Sequence, residues 1–331
     1  MFIGSILFLS GFIGGVFFLK WRVVLKQRVE KLVGLKKERE GKRHIRRDSY
    51  ETSLHLRLEE VRFNGHTLIA GPAGNGKSIF VQTVLANQFL FEKESEFLIF
   101  DTLSEYRNVT RVLDGLSFQI AGHRNKSEDA AAALTKTAPV EIAGGRQLIE
   151  RPGLVDGCRV VNLYTEGCND EELNDALPVF ETVLRHKLQE RHGRLFVIVD
   201  NFAWTSNSPG WASLLTRLLH LGPEERVGVV TVAQSPDEYL RLSVGREMVE
   251  KAQCKIIGCG GIMQTEPWKG IGLNEEDLDI LRLGFESVET RRDGCRKFLL
   301  KSGVETKLVT ITLSPYELWT FGARIPLGVK S

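Results

Sequence analysis

Cysteine is scarce in this chain of 331 residues, and its spacing argues against two classes of cross-linked protein. The five cysteines are odd in number, and no two of them form a Cys-x-x-Cys pair. The pattern therefore supports neither a disulfide framework nor a cysteine-based metal site, and it fits reduced thiols in the cytoplasm. Glycine and proline, with 32 and 10 residues, are too few and too scattered for a collagen-like or low-complexity chain.

Charge is absent from the first 19 residues, although the whole chain carries a formal charge of +2. Residues 20–47 hold twelve Lys and Arg against three Asp and Glu, a net charge of +9. Residues 48–331 hold 32 basic and 39 acidic residues, a net charge of −7. The near-neutral total therefore averages three segments of different character. A hydrophobic fraction of 42% excludes disorder as the main state of the chain.

The uncharged segment has the length and composition of a membrane-spanning helix. Of the eighteen residues from Phe2 to Leu19, only Ser5 and Ser10 are polar. A spanning helix needs about 17–25 residues, so this run is near the lower limit. A cleaved signal peptide is the alternative, but no Lys or Arg precedes the run and no small-residue cleavage site follows it. We therefore expect a transmembrane helix here.

The basic run that follows sets the orientation predicted for this helix. The positive-inside rule places the side that carries the Lys and Arg residues in the cytoplasm. The run would also suit anionic lipid headgroups or DNA, although a topology signal suffices to explain it. We expect a transmembrane anchor over residues 1–20, a basic juxtamembrane linker over residues 21–54 and one cytoplasmic domain over residues 55–331.

Beyond residue 55, short apolar runs alternate with stretches in which apolar residues recur at helical spacing. Such alternation predicts an α/β fold, with a mostly parallel sheet that is covered by helices on both faces. Residues 121–152 are polar and Ala-rich, and they read as a loop or insertion. Two runs near the end, 297–301 and 307–313, predict a C-terminal β-hairpin. The remaining predicted strands are 66–70, 97–100, 159–163, 195–199, 227–232 and 255–257, and the predicted helices are 77–91, 171–191 and 211–221.

A phosphate-binding pattern joins the first predicted strand to its helix. The sequence GPAGNGKS, residues 71–78, satisfies G-x-x-x-x-G-K-[ST], whose glycines let backbone N–H groups curl around phosphate oxygens. The N-terminus of the following helix adds its dipole. The pattern assigns Lys77 to the β- and γ-phosphates and Ser78 to Mg²⁺. The expected nucleotide contacts are Gly71, Pro72, Ala73, Gly74, Asn75, Gly76, Lys77, Ser78 and Ile79.

A carboxylate at the end of a later strand completes the expected metal site. The apolar run LFVIV is followed by Asp200, which we expect at the carboxyl edge of the sheet, where it would hold Mg²⁺. Many P-loop ATPases place a glutamate next, to orient the attacking water, but here the residue is Asn201. An amide can hold water but cannot take its proton. Either hydrolysis is slow or another carboxylate serves, and we name Asp101, at the end of a neighbouring strand, ahead of Glu181.

The motifs and their order carry a resemblance to a known family. GPAGNGKS, LFVIVDNFAW, TVAQSPDEYL and the closing RKFLLKSG and KLVTITLS stand in the order seen in the large energising ATPase of type IV secretion and conjugation systems. That family belongs to the HerA–FtsK group of ring-forming P-loop ATPases. Its DEAW motif is similar to residues 200–204, with the Glu replaced, and its TQSP motif is similar to residues 233–236. In that motif Gln234 would sense the γ-phosphate or position water.

The resemblance covers residues 60–325 and implies a RecA- or HerA–FtsK-like P-loop NTPase fold that binds ATP and Mg²⁺. It also implies a homo-oligomer, a hexameric ring, at the bacterial inner membrane, together with other components of a secretion or conjugation machine. Family members usually carry a long N-terminal domain, where this chain has the predicted anchor and basic linker. Rings of this group complete each site with an arginine from the neighbouring subunit. Four residues are open for that role: Arg217, Arg226, Arg292 and Arg296.

We expect a membrane-anchored ATPase that energises a translocation machine of the type IV secretion or conjugation kind. Its expected catalytic residues are Lys77, Asp200, Asn201, Gln234 and Asp101. A DNA-pumping coupling protein of the same superfamily is one alternative; it suits the anchor, but the net charge of −7 over residues 48–331 does not favour strong DNA binding. Contact with nucleic acid is therefore possible but not required. An ATP-binding scaffold with little hydrolysis is the other alternative.

Overall fold

The computed structural model describes residues 55–56, 61–122, 145–166, 168–221, 225–259, 264–286 and 295–312. All of these belong to one compact unit, Thr52–Ser331. The predicted anchor over residues 1–20 and the linker over residues 21–54 lie outside the described residues. Within the described ranges, no helix combines the length and the apolar character needed to cross a bilayer.

The strands are β1 (His55–Leu56), β2 (Thr67–Ala70), β3 (Ser95–Asp101), β4 (Leu116–Gly122), β5 (Val160–Glu166), β6 (Arg194–Val199), β7 (Val227–Ala233), β8 (Cys254–Gly258), β9 (Cys295–Ser302) and β10 (Glu305–Thr312). They form one sheet in the order β1-β10-β9-β8-β2-β7-β6-β3-β5-β4. Strand pairs are parallel except β8–β9 and β9–β10, which are antiparallel. The mostly parallel sheet and the C-terminal hairpin are therefore confirmed.

The helices are α1 (Lys77–Phe91), α2 (Arg107–Val112), α3 (Gly145–Glu150), α4 (Asp170–Glu190), α5 (Phe202–Asn207), α6 (Pro209–Leu221), α7 (Pro236–Arg241), α8 (Ser243–Lys251), α9 (Glu266–Gly270) and α10 (Glu275–Glu286), with a 3-10 turn at Pro152–Val155. The interpretation of residues 121–152 as a loop is therefore wrong at three places: residues 121–122, which end β4, helix α3, and the start of the 3-10 turn. Helix α3 and the 3-10 turn are short, and β4 is an edge strand of mixed polarity. None of the three contains the long apolar run that predicts a strand or helix elsewhere in the chain.

The sheet is buried on both faces, as expected for a central parallel sheet. Along β6, the side chains of Leu195, Val197 and Val199 enter one core, and those of Phe196 and Ile198 enter the other. Helices α4 and α6 pack against the first core, and α1 and α2 pack against the second. The alternation of neighbouring side chains along the strand produces this two-sided burial.

Helix α4 shows how local sequence fixes an element. Asn169 caps its N-terminus, because its Oδ1 accepts hydrogen bonds from the backbone N–H groups of Glu171 at 2.9 Å and Glu172 at 3.0 Å. The carboxylate of Glu172 accepts a hydrogen bond from the N–H of Asn169 at 3.0 Å, which completes a capping box. The helix ends at Glu190, close to the predicted bound.

The strand order brings three chain segments to one edge of the sheet. Strand β2 leads into the P-loop, β7 lies next to β2, and β6 lies next to β7, followed by β3. The registers pair Ala70 with Ala233 and Phe100 with Val199, so neighbouring strands end at nearly the same level. The residues that follow these parallel strands therefore meet at the carboxyl edge, where α/β sheets bind ligands.

Candidate nucleotide-binding and hydrolysis site

The P-loop backbone is shaped to receive an anion. Gly74 and Gly76 have φ angles of 77° and 87°, in the left-handed region that glycine adopts without strain. Gly76 is the N-cap residue of α1, and neither a side-chain cap nor an acidic residue occupies the first turn. The N–H groups and the positive dipole end of α1 are thus available to a phosphate. All nine predicted nucleotide contacts lie in this loop and the first turn of α1.

Lys77 is folded back onto its own loop. Its side chain is buried, and its Nζ donates hydrogen bonds to the carbonyl oxygens of Gly71 at 2.7 Å and Pro72 at 2.9 Å. These carbonyls hold the ammonium group at the centre of the loop. Phosphate oxygens, which carry negative charge, are stronger acceptors than neutral carbonyls. Lys77 is therefore positioned to exchange loop carbonyls for a phosphate.

The negative charges of three carboxylates affect the pKa of Lys77. Burial lowers the pKa of Lys77, and the negative charges of Asp200, Glu238 and Glu105 oppose that shift. The carboxylates come from three different segments, which follow β6, β7 and β3. Acidic groups from three segments at the carboxyl edge of the sheet thus favour the charged form of Lys77.

Asp200 is a buried carboxylate with one oxygen unpartnered. Its Oδ1 accepts a hydrogen bond from the N–H of Asn201 at 2.8 Å, whereas Oδ2 has no hydrogen-bond partner. Burial, followed by the charges of Asp101 and Glu105, raises the pKa of Asp200 to about 7. The hydroxyl of Tyr106 is also buried without a well-formed hydrogen bond; burial and then the nearby Asp200 charge raise the pKa of Tyr106. The Asp200 carboxylate and the Tyr106 hydroxyl are thus two buried polar groups whose hydrogen bonds are incomplete.

The residues present fit a Mg²⁺ ion. Ser78, in the first turn of α1, and Asp200 supply a hydroxyl and a carboxylate, the oxygen ligands that Mg²⁺ uses alongside phosphate and water. A cation beside Asp200 would satisfy the unpartnered Oδ2 and relieve the repulsion that raises the pKa of this carboxyl. The predicted metal ligands are thus chemically suited to the ion.

Asn201 occupies a backbone conformation that few residues accept. Its φ and ψ angles are 53° and 55°, in the left-handed region, and it is the N-cap residue of α5. Asparagine is enriched several-fold among the non-glycine residues that adopt positive φ. Asn201 adjoins Asp200 at the carboxyl edge, and its assignment to the attacking water stays a prediction.

Asp101 is wholly buried, and its carboxylate accepts four hydrogen bonds, three of them from the loop that follows β3. Its Oδ1 accepts hydrogen bonds from the backbone N–H groups of Leu103 at 3.3 Å and Glu105 at 3.0 Å. Its Oδ2 accepts from the N–H of Tyr106 at 2.9 Å and from Nδ2 of Asn162 at 3.3 Å. Burial raises the pKa of Asp101, and these hydrogen bonds oppose the shift. The contacts give Asp101 a role in shaping the loop after β3.

Gln234 follows β7, between the P-loop strand and the strand that ends before Asp200. Its side chain is exposed, and its backbone N–H donates to Oε2 of Glu238 at 3.1 Å. This places the amide at the edge where a terminal phosphate would lie. Its predicted contact with the γ-phosphate or with water is consistent with this position and stays a prediction.

The sequence also raised Glu181 as an acid that could activate water and four arginines that could complete a neighbouring site. Glu181 is paired with Arg217 on the exposed surfaces of α4 and α6. Arg296, on β9, lies against the P-loop of its own chain, because a Cβ added to Gly76 would come within 2.9 Å of its Cγ. Arg292 is outside the described residues. Of Arg217 and Arg296, it is thus Arg296 that lies against the P-loop within one subunit.

Sequence reasoning missed three side chains of this site, Glu105, Tyr106 and Glu238. The acidic pair at residues 237–238 follows the TQSP-like segment, and the sequence SEY follows β3, but neither pattern by itself signals a nucleotide site. Their positions depend on β3 and β7 flanking β6. That arrangement was not available from local periodicity.

Comparisons with known proteins support the fold. No protein-family model and no curated protein matches the chain. Among solved structures, VirB4 of Thermoanaerobacter pseudethanolicus is 14% identical, with a TM-score of 0.53 over 80% of this chain and 94% of that chain. The genome packaging NTPase B204 of Sulfolobus turreted icosahedral virus 2, in complex with ATP-gammaS, is 13% identical, with a TM-score of 0.40 over 76% and 98%. The conjugation coupling protein TcpA of pCW3 is 18% identical, with a TM-score of 0.36 over 75% and 59%. The chain therefore shares the P-loop ATPase fold of VirB4, as its motifs led us to expect.

Proposed function

We propose that this protein is a membrane-anchored ATPase that hydrolyses ATP to drive a translocation machine of the type IV secretion or conjugation kind. The observation that carries the proposal is the convergence of the P-loop, Asp200 and Gln234 at one edge of a sheet with the fold of VirB4. The uncharged N-terminal run and the basic collar that follows support membrane attachment.

The described side chains suit the separate tasks of hydrolysis. Lys77 would leave the carbonyls of Gly71 and Pro72 and bind the β- and γ-phosphates. Mg²⁺, held by Ser78 and Asp200, would neutralise part of the phosphate charge. Gln234, at the end of β7, would contact the γ-phosphate or orient the water.

The active form we propose is a homo-oligomeric ring, a hexamer, that works with other components of the same machine. Position supports Arg296 as a positive charge beside the phosphates of its own subunit. An arginine from a neighbouring subunit would then be a separate contribution. Nucleic acid is a possible partner, and the experiment below tests it.

The test is ATP turnover by the full-length chain in detergent, with MgCl₂, in the presence and absence of single-stranded and duplex DNA. We expect turnover that Lys77→Ala reduces about 100-fold or more, since the variant removes a preorganised charge at the phosphates. Lys93→Ala, which removes an exposed lysine after α1, is the matched control and should keep wild-type turnover.

Three results would argue against the proposal. Turnover that survives Lys77→Ala would mean that a contaminant or another site hydrolyses ATP. Strong stimulation by DNA would favour the coupling-protein alternative. ATP binding without turnover would favour a nucleotide-binding scaffold, the alternative that Asn201 suggests.

A further inference from the structure

We propose that Glu105 is the general base of this ATPase, the carboxylate that takes a proton from the attacking water in place of a glutamate at position 201. The inference deepens the proposed function and rests on it. It assigns the missing proton acceptor to the loop after β3, on the strand next to β6.

The loop that carries Glu105 is fixed beside the metal-binding strand. Strands β3 and β6 are neighbours, and the N–H of Asp200 donates to the carbonyl oxygen of Phe100 at 3.1 Å. After β3 the chain turns at Ser104, which has a φ angle of 59°. The buried carboxylate of Asp101 then accepts hydrogen bonds from the backbone N–H groups of Glu105 and Tyr106. These contacts fix the backbone at residues 105–106 close to Asp200.

Two adjacent side chains leave this fixed backbone in different directions. Tyr106 is wholly buried, and its hydroxyl faces the carboxylate of Asp200. Glu105 is exposed to solvent. The negative charge of Glu105 opposes the lowering of the pKa of Lys77 by burial, and it adds to the raising of the pKa of Asp200 by burial. Glu105 is thus the solvent-exposed carboxylate of the loop that borders Asp200.

The carboxylate of Glu105 is available, whereas the competing acids are occupied. No hydrogen bond or ion pair to the Glu105 side chain occurs among the residues that the structure describes. Asp101 is wholly buried and accepts four hydrogen bonds. Glu238 is half-buried and accepts the N–H of Gln234. A base in contact with solvent can release its proton there directly, and of these three carboxylates only Glu105 is exposed.

In the proposed step, Glu105 takes up the proton that the attacking water loses. The oxygen of a water molecule forms a bond to the γ-phosphorus of ATP as the bond from that phosphorus to the β–γ bridging oxygen breaks. The proton lost by the water passes to the carboxylate of Glu105, and the electron pair of the broken bond stays on ADP. Inorganic phosphate and ADP leave, and Glu105 releases its proton to solvent.

The test is Glu105→Gln in the full-length chain, with turnover and ATPγS affinity measured side by side, the latter by calorimetry in MgCl₂. General-base catalysis contributes about 10²–10⁴-fold, so we expect turnover to fall at least about 100-fold. We expect ATPγS to bind as tightly as before or more tightly, because the substitution removes a negative charge near the phosphates. Lost affinity, or turnover within threefold of wild type, overturns the inference.

Two further variants separate a base from a structural residue. Glu238→Gln removes a half-buried carboxylate whose charge also affects the pKa of Lys77, and it should retain more turnover than Glu105→Gln; the reverse order overturns the inference. Formate added to Glu105→Ala should restore part of the turnover, with chloride at equal ionic strength as the control. If Glu105→Ala is inactive and formate has no effect, Glu105 shapes the loop and is not the base.

These outcomes are distinct from failure of the proposed function. If wild-type protein shows no turnover that Lys77→Ala removes, the ATPase proposal itself fails. If wild type hydrolyses ATP and Glu105→Gln does so equally well, the ATPase proposal stands and only the assignment of the base is wrong.

Discussion

Asp277 and Asp200 are both buried carboxylates, yet the molecule treats them differently. Asp277, on α10, accepts hydrogen bonds from Oγ1 of Thr306 at 2.6 Å, from the N–H of Asn274 at 2.9 Å and from Nζ of Lys301. Asp200, at the carboxyl edge of the sheet, has one oxygen with no partner. The carboxylate of Asp277 links α10 to the C-terminal hairpin through Lys301 and Thr306. The carboxylate of Asp200 keeps one oxygen without a hydrogen-bond partner.

The pKa shifts of the two groups have opposite signs. Burial alone would raise the pKa of Asp277, but the hydrogen bonds from Lys301, Thr306 and Asn274 hold it below the usual value. Burial and neighbouring acids raise the pKa of Asp200 to about 7. The comparison indicates that the α10–hairpin contact contributes stability, whereas the buried charge of Asp200 lowers the stability of the ligand-free protein.

The largest change in stability that we predict comes from removing Asp277, the carboxylate whose hydrogen bonds are complete. Asp277→Ala leaves Lys301 with its charge partly buried and unpaired, and it should lower the free energy of unfolding by about 3 kcal/mol. Urea unfolding of the full-length chain in detergent at pH 7 measures the change. Asp279→Ala is the matched control on the same helix, because its exposed pair with Arg282 should contribute less than about 1 kcal/mol. Equal losses in the two variants would contradict this account.

The second prediction has the opposite sign. Asp200→Asn removes a buried charge with an unpartnered oxygen, and each unit of pKa corresponds to about 1.4 kcal/mol. We expect the ligand-free variant to be more stable than wild type by about 2 kcal/mol at pH 8. Urea unfolding in EDTA measures this, and a destabilised variant would show that Asp200 has a structural partner.

The same variant should also change how stability depends on pH. Because the pKa of Asp200 is raised from 3.8 to about 7, the folded chain keeps a proton that the unfolded chain releases in this window. Wild-type stability from this group therefore falls as the pH rises from 4 to 7, and levels off above 7. The advantage of Asp200→Asn should shrink at pH 5, and an advantage of the same size at pH 5 and pH 8 would exclude this titration as the cause.

The two regions also differ in how well the sequence predicted them. The P-loop, the strand that ends before Asp200 and the hairpin follow from local signals, namely a motif, an apolar run and two alternating runs. Two of the partners of Asp277, Lys301 and Thr306, lie 24 and 29 residues away along the chain, so no local pattern shows them. Glu105 was missed because its place depends on β3 lying beside β6 and on the loop held by Asp101.

The smallest effect we predict lies where the two regions meet. Gly258 pairs with Phe298 of the hairpin, and a Cβ added to it would come within 1.9 Å of Nδ2 of Asn75 in the P-loop. The Asn75 amide is buried, so the added methyl group of Gly258→Ala would displace it and change the P-loop around it.

Gly258→Ala should therefore weaken ATPγS binding by about tenfold, equivalent to about 1.4 kcal/mol, with little change in unfolding free energy. Gly153→Ala is the control, because its nearest neighbour at 3.1 Å is the end of an exposed Asp156 side chain that can move away. Calorimetry with MgCl₂ measures both affinities. A tenfold loss confined to Gly258→Ala would show that the hairpin strand sets the shape of the P-loop. Equal affinities in the two variants would show that the P-loop adjusts independently of the strand beside it.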